Sequence, residues 1–296
     1  TGDQFLSQSG ISRNSDQTFY FDARLDWKRS FGDHNLTAMA MYMMREYRSD
    51  VLPNRNQGYS GRVTYDYASK YLVEFNFGYN GSERLAAGHR FEFFPAVSAG
   101  WVASSEKFWE PISKYINHFK IRGSYGLVGS DAFASGAPHF LYQNNIGIGS
   151  AHNFWTGLPT SEISKKGPGF YVLAVQDAGW EHVKKFDIGF DMMLFNQLNI
   201  TFDYFHDKRE RILMSRASWP SMLGYWGSKP WSNIGEVENQ GFELSLNWTK
   251  QFGKDLTLDL RGNFTYNQNE YKYVDEPSYP YVWQTNTGKP LNTVKG

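Results

Sequence analysis

The feature that most constrains this chain is an alternation of side-chain type at every second residue. Phe19, Phe21, Ala23, Leu25 and Trp27 alternate with Tyr20, Asp22, Arg24, Asp26 and Lys28. Val63, Tyr65 and Tyr67 alternate with Arg62, Thr64 and Asp66, and Val73, Phe75, Phe77 and Tyr79 with Glu74, Asn76 and Asn80. The second half is cleaner. Ile188, Phe190, Met192 and Leu194 alternate with Asp187, Gly189, Asp191 and Met193; Leu198, Ile200, Phe202 and Tyr204 alternate with Asn199, Thr201 and Asp203. Phe242–Trp248 and Leu256–Tyr266 repeat the pattern. Successive side chains of a strand point to opposite faces, so each stretch predicts a strand with one apolar and one polar face. About ten strands follow from this periodicity, near 18–30, 36–48, 58–67, 71–80, 91–103, 119–128, 181–195, 198–213, 236–251 and 255–271.

Soluble antiparallel sheets also alternate, so the environment of the apolar face needs separate arguments. The predicted strands run roughly 10 to 16 residues, against about 5–6 in globular proteins. Their apolar rows often begin or end in Tyr, Trp or Phe, as girdles at a membrane interface do. The polar rows carry full charges, which a water-filled or plugged lumen tolerates and a soluble core does not. Composition agrees: 18% of the 296 residues are aromatic, yet mean hydropathy is −0.56. No run is long and apolar enough for a transmembrane helix. The formal net charge of zero gives no sign of a nucleic-acid partner. Absence of Cys suits an exported protein, or chance. Thr1-Gly2-Asp3-Gln4 begins polar with no apolar segment behind it, which suggests a mature or partial chain.

The connections give an orientation. Tight joins at 31–35, 68–70, 196–197 and 252–254 alternate with long ones at 49–57, 81–90, 129–180 and 214–235. In outer-membrane barrels short turns are periplasmic and long loops extracellular. The fold class predicted is therefore all-β: a partial antiparallel up-and-down transmembrane β-barrel. The join 104–118 is periplasmic by parity but longer, and the Ile112/Tyr115/Ile116/Phe119 spacing predicts a helical turn there. The segment 129–180 is rich in Gly, Ser and Pro, with an extra hairpin expected near 139–148.

Ordered motifs then carry a family resemblance. Gly58-Tyr59-Ser60-Gly61-Arg62 through Tyr67, with Lys70-Tyr71-Leu72, resembles the "GYxGRxxYxYxxRYL" strand pair of the SusC/RagA family of TonB-dependent outer-membrane transporters. Asn80-Gly81-Ser82-Glu83-Arg84 resembles its "DGSSRF", and Phe94-Pro95-Ala96-Val97-Ser98-Ala99-Gly100-Trp101 its "FPSxSxGW". Glu106-Lys107-Phe108 resembles its "ExF", and Phe119–Gly129 its "LKxRxSYGxxGN". Trp180-Glu181 with Phe186-Asp187-Ile188-Gly189-Phe190-Asp191 is similar to "WE…xxNxGxD", and Asn233–Glu243 to "NxGxxxNxGxE". Asn80, Leu85 and Phe186 depart from the usual Asp, Phe and Asn. The resemblance covers roughly 58 to 250. It implies a barrel of about 22 strands, of which this chain supplies about 10. It also implies that residues 1–296 are part of one barrel domain, with a plug domain, a TonB box and closing strands lying outside them.

No motif for covalent, metal or nucleotide chemistry is found: GxSxG, HExxH, Walker A and GxGxxG on a strand–helix boundary are absent. Gly147-Ile148-Gly149 lacks a third glycine. Histidines 34, 89, 118, 139, 152, 182 and 206 form no ligand-spaced pair on a strand face. Asp203, Asp207 and Glu210 could hold calcium but read more simply as solvated charge, and Asp187, Asp191 and Asp203 share a lumenal parity. No enzyme, cofactor or metal site is expected. Candidate substrate-binding residues are aromatics in long extracellular connections: Phe154, Trp155, Trp219, Tyr225, Trp226 and Trp231. Tyr279, Tyr281 and Trp283 form a weaker group. Such rings can stack on sugars or grip peptides, or simply pack the loops.

The resemblance implies an active importer of a large nutrient, an oligosaccharide or peptide. It would draw energy from the TonB complex through the plug, sit in outer-membrane lipid, and be capped by a SusD-like surface lipoprotein. The alternatives are a passive porin or secretion-associated scaffold, and a soluble β-rich glycan-binding domain.

Overall fold

The computed structural model describes residues 15–49, 53–133, 137–148, 153–156, 163–220, 222, 229–291 and 293, with backbone only for 153–156 and 163–166. Six long strands come first: β1 (Gln17–Phe31), β2 (His34–Arg48), β3 (Asn54–Tyr67), β4 (Tyr71–Ser82), β5 (Phe91–Val102) and β6 (Ile116–Ser130). Four short ones follow: β7 (Asn145–Gly147), β8 (Asn153–Thr156), β9 (Ile163–Lys166) and β10 (Gly169–Val172). The last four are long again: β11 (Glu181–Leu194), β12 (Leu198–Ser215), β13 (Trp231–Phe252) and β14 (Leu256–Tyr273). The long strands make one 10-stranded antiparallel sheet in chain order, with β6 pairing directly to β11. Among the described residues β1 and β14 do not pair with each other, so the sheet is an open wall.

The register carries the alternation across the whole wall. Ala40, Gly61, Phe77 and Pro95 lie side by side on one face, as do Phe119 and Met192, and Phe190, Phe202, Leu244 and Phe264. A one-residue slip anywhere would move a strand's apolar set to the other face. Rings bridge the neighbours: Phe119–Phe190 at 5.9 Å, Phe190–Phe202 at 5.6 Å, Phe202–Phe242 at 6.2 Å and Phe242–Phe264 at 5.8 Å between centroids.

This face is apolar and uncovered. On interior strands Tyr59 is 53% exposed, Phe75 43%, Val97 48% and Tyr125 51%. Water around so wide an apolar surface is unfavourable, and lipid removes that cost. A soluble glycan-binding domain, the second alternative above, does not fit this surface.

Tight turns close the periplasmic end. Ala68 and Ser69 (φ 51° and 55°) and Phe195 and Asn196 (φ 54° and 53°) occupy left-handed backbone within three-residue connections, closed by Lys70 N–H to the Tyr67 carbonyl and Gln197 N–H to the Leu194 carbonyl. The 103–115 connection opens with 3-10 turns at Ala103–Ser105 and Lys107–Trp109, in line with the expected helical turn. Trp109 stacks on Phe119 at 5.3 Å and 7°, and its indole N–H donates to the Ile116 carbonyl.

The outer connection departs from the sequence reading. No hairpin forms at 139–148. Instead β7 pairs with β10, and β8 with β9. Leu141 is fully buried against Ala178 and Leu213, which draws 141–147 alongside 169–176. Val175 N–H then donates to the Leu141 carbonyl, and Ala174 N–H to Asn144 Oδ1.

Candidate functional site: the lumenal wall and the outer rim

Charge on the polar face gathers around Arg122 of β6. In register, Arg122 lies opposite Gly189 of β11, and Gly189 opposite Asp203 of β12. A Cβ at Gly189 would run into the Asp203 carboxylate and the Phe202 carbonyl. The glycine therefore lets Arg122 reach across a whole strand to Asp203, at 2.6 Å. Asp191 at 3.3 Å and Asp187 at 3.5 Å complete the cage. The Arg, Gly and Asp positions of two separate sequence motifs are thus one cluster. Beside it lies a depression of about 470 Å³ bordered by Asp66, Glu74, Ser98 and Lys120.

The cage is partly solvated, so each pair contributes modestly, but removing the cation leaves three carboxylates facing one another. Arg122→Met should destabilise the wall by about 1–3 kcal/mol, and adding Asp203→Asn should restore part of the loss. Denaturant titration of single and double variants of the full-length protein in lipid vesicles checks this. Equal losses in both would show that the charges are not coupled.

The three suspected calcium carboxylates are not brought together. Asp203 belongs to the Arg122 cage, Asp207 pairs with Lys185 at 3.3 Å, and Glu210 with Lys184 and Lys208 at 2.6 and 2.7 Å.

At the periplasmic end, Glu106 of the "ExF"-like motif accepts the Tyr71 hydroxyl at 2.8 Å and the Lys70 ammonium at 3.2 Å. These donors, the Tyr71 hydroxyl foremost, hold its carboxyl below the usual range. The glutamate ties the 103–115 connection to the β3–β4 turn.

At the outer rim, Leu85, Phe94 and Trp180 form one buried cluster. Gly129 admits the Phe94 ring, which a Cβ there would meet. Glu92, His182 and Arg211 sit close by, with His182 Nε2 2.7 Å from Glu92. Asn233 ties three strands' ends together: it donates to the Gly179 and Arg211 carbonyls and accepts the Gly179 N–H. Asp275, just past β14, receives Ser218 N–H and O–H and Arg216 Nε. Burial works against its charge, but these donors outweigh it and hold the carboxyl below the ordinary range. Because the folded value is depressed, this latch contributes above the ordinary Asp range and is lost as pH falls through the folded value. Asp275→Asn should therefore flatten the acid limb of stability, read by pH-dependent protease resistance of the outer connections.

The predicted aromatic residues are dispersed. Trp231 opens β13 and packs against the Leu141–Leu213 cluster, so it serves the loop core. Trp219 closes a turn on the Arg216 carbonyl. Phe154 and Trp155 lie in β8 opposite Lys165 and Ser164. Their side chains, and Tyr225 and Trp226 altogether, lie outside the described residues. Among the described residues, a displayed aromatic pair forms at Tyr281 and Trp283, the group given less weight from sequence. Tyr281 and Trp283 lie nearly parallel (15°) at 6.0 Å, 60% and 53% exposed. Lys289 Nζ donates to the Val282 and Trp283 carbonyls, and Glu276 accepts the Asn286 and Thr287 N–H groups, fixing the backbone beneath the rings. The sequence signal was only the Tyr-x-Tyr-x-Trp spacing.

Residues 1–295 match the family described as "TonB dependent receptor-like, beta-barrel". The chain is 31% identical over 211 residues to TonB-dependent receptor P3 of Formosa agariphila, covering 71% of this chain and 20% of the relative. It is 26% identical over 239 residues to TonB-dependent receptor SusC of Bacteroides thetaiotaomicron, covering 77% and 22%. Among solved structures it is similar to the RagAB peptide importer in the closed-closed state. The TM-score is 0.73 at 19% identity, over 93% of this chain and 33% of that one. The chain thus spans about a fifth of the length of the curated relatives it matches. An apolar outward face, a charged inward face and these matches agree: the chain belongs to the TonB-dependent receptor-like β-barrel family of the outer membrane.

Proposed function

We propose that this chain supplies ten wall strands and their outer connections to a SusC-like active importer. In this reading residues 1–296 are one part of a single barrel domain, and the plug, TonB box and closing strands belong to the rest of a longer protein. The cargo is an oligosaccharide or peptide, the energy comes from the TonB complex, and a SusD-like lipoprotein covers the outer connections. No step of chemistry on the cargo is assigned to this chain. The observation that carries the proposal is a polar, charge-bearing lumenal face, with the Arg122 cage on it, behind an apolar lipid-facing surface. Such a wall suits a water-soluble cargo and a polar plug. Likeness to SusC and to the RagAB peptide importer supports the class of protein.

Cargo contact is assigned to rings at the outer rim: Tyr281 and Trp283, with Trp219 and the Phe154–Trp155 and Tyr225–Trp226 pairs as further candidates. Uptake of labelled oligosaccharides and peptides by cells carrying the full-length gene, with and without a protonophore, tests the proposal. Active import is expected to cease when the proton gradient is collapsed, whereas a passive porin would continue. Trp283→Ala should lower uptake at limiting cargo by about two- to tenfold, the worth of one stacking contact. Unchanged uptake would remove the Tyr281–Trp283 pair from the cargo path.

A further inference from the structure

The outward face of β2–β5 ends at its extracellular side in three successive rows. The lowest is aromatic: Tyr42, Tyr59, Tyr79 and Phe93. The next is Met44, Gln57, Gly81 and Phe91. The third holds Glu46 opposite Arg55. From Tyr67 at the periplasmic girdle, Gln57 is about ten residue steps away. At about 3.3 Å per step and a tilt near 40°, that is about 25 Å, the height of the apolar band of such barrels. The middle row therefore lies at the upper edge of the lipid, and the Glu46–Arg55 row at the headgroups.

Gly81 lets the Phe91 ring lie over the strand in the middle row, in the space a Cβ would take. The result is a depression of about 320 Å³ with Met44 and Phe91 at its apolar side and Arg55, Arg90, Glu46 and Glu83 around it. Arg48, on the same outward parity, binds one Glu46 oxygen at 3.0 Å while Arg55 Nε binds the other at 2.8 Å. Two guanidinium groups thus share one carboxylate. The Nη groups of Arg55 make no hydrogen bond or close ion pair among the described residues, with Glu83 the one further carboxylate acting on the guanidinium, and the side chain is 56% exposed. The outward rim of β12–β14 differs: Lys208 is bound by Glu210 and Glu236, and Lys272 by Glu238 and Glu270. Among the described residues, Arg48, Arg55 and Arg90 thus outnumber Glu46 and Glu83 above the apolar floor at β2–β5, whereas the β12–β14 cations are matched by carboxylates.

From this geometry we infer that the depression seats a phosphorylated lipid of the outer leaflet. Its phosphate lies against Arg48 and Arg55 and its acyl chain along Met44 and Phe91. Arginine suits the role because its planar fork binds phosphate oxygens in pairs, and the low dielectric at the lipid edge strengthens each bond.

Native mass spectrometry of the detergent-solubilised full-length protein tests this with lipid A as probe. Wild type should retain lipid A through delipidation. Enzymatically dephosphorylated lipid A, added to the same wild-type protein, should bind about tenfold more weakly, as loss of a charge-assisted contact implies. Arg48→Gln/Arg55→Gln should show the same loss, while Lys208→Gln/Lys272→Gln should retain the lipid. Inorganic phosphate should not displace it, because the apolar floor contributes to binding. Equal binding of dephosphorylated lipid, equal loss in the lysine variant, or displacement by phosphate alone would each overturn the assignment. None of these readouts depends on cargo uptake, so they stand or fall apart from the import proposal.

Discussion

Leu244→Arg is expected to destabilise the folded barrel by about 2–4 kcal/mol, while Ser245→Arg next to it should stay within about 0.5 kcal/mol. Leu244 lies between Phe202 and Phe264 on the outward face, whereas Ser245 lies between Thr201 and Asn263 on the lumenal face. A guanidinium near the middle of the lipid loses its hydration and finds no counter-charge. In the lumen it stays wet and has Glu243 and Asp203 two residues away on β13 and β12. Urea titration of the full-length protein in vesicles measures both. Similar losses at the two positions would mean that the faces are not lipid and water.

Trp180→Ala should have an effect of comparable size, and a local one. Trp180 is 4% exposed, packs edge-on against Phe94 at 5.4 Å, and donates its indole N–H to the Arg90 carbonyl at 3.0 Å. Truncating a buried Trp typically costs about 3–5 kcal/mol, part of it for the cavity left behind. The carbonyl also loses its donor. The strands below are held by continuous ladders on both sides, so the loss should fall on the outer connection between β6 and β11. Protease added to intact cells should cut 131–180 at least about tenfold faster, with the barrel fragment still heat-stable. Trp180→Phe, which keeps the ring packing without the N–H, should lie between. A barrel that fails to assemble would show that Trp180 belongs to the wall itself.

The long strands were legible because lipid on one face and water on the other impose the same rule on every residue. Their ends were less so. Periodicity places β3 from 58, but it begins at Asn54, because Asn54–Gln57 are polar on both faces and are ordered by pairing with β2 and β4. β13 likewise begins at Trp231 rather than 236, held by Asn233 and by its register with Leu213–Ser215. On β12 the register shifts near Arg211, which has φ 57°, so alternation alone could not follow the strand to Ser215. β7–β10 are too short to show a period, and their pairing depends on where Leu141 is buried.

The site was half legible. Lumenal carboxylates could be assigned by parity, but not the bridge from Arg122 over Gly189 to Asp203, which needs three strands in register. Aromatic residues could be counted, but sequence does not say which are packed away, as Trp231 is, and which remain displayed, as Tyr281 and Trp283 are.

The central claim, a wall with lipid on one face and an aqueous lumen on the other, is tested most directly by spin labels at single cysteines from Phe242 to Asn247. This chain brings no cysteine of its own. In vesicles, labels at 242, 244 and 246 should be relaxed by oxygen, and those at 243, 245 and 247 by a water-soluble nickel chelate. Accessibility that fails to alternate, or alternates in the opposite phase, would contradict the wall.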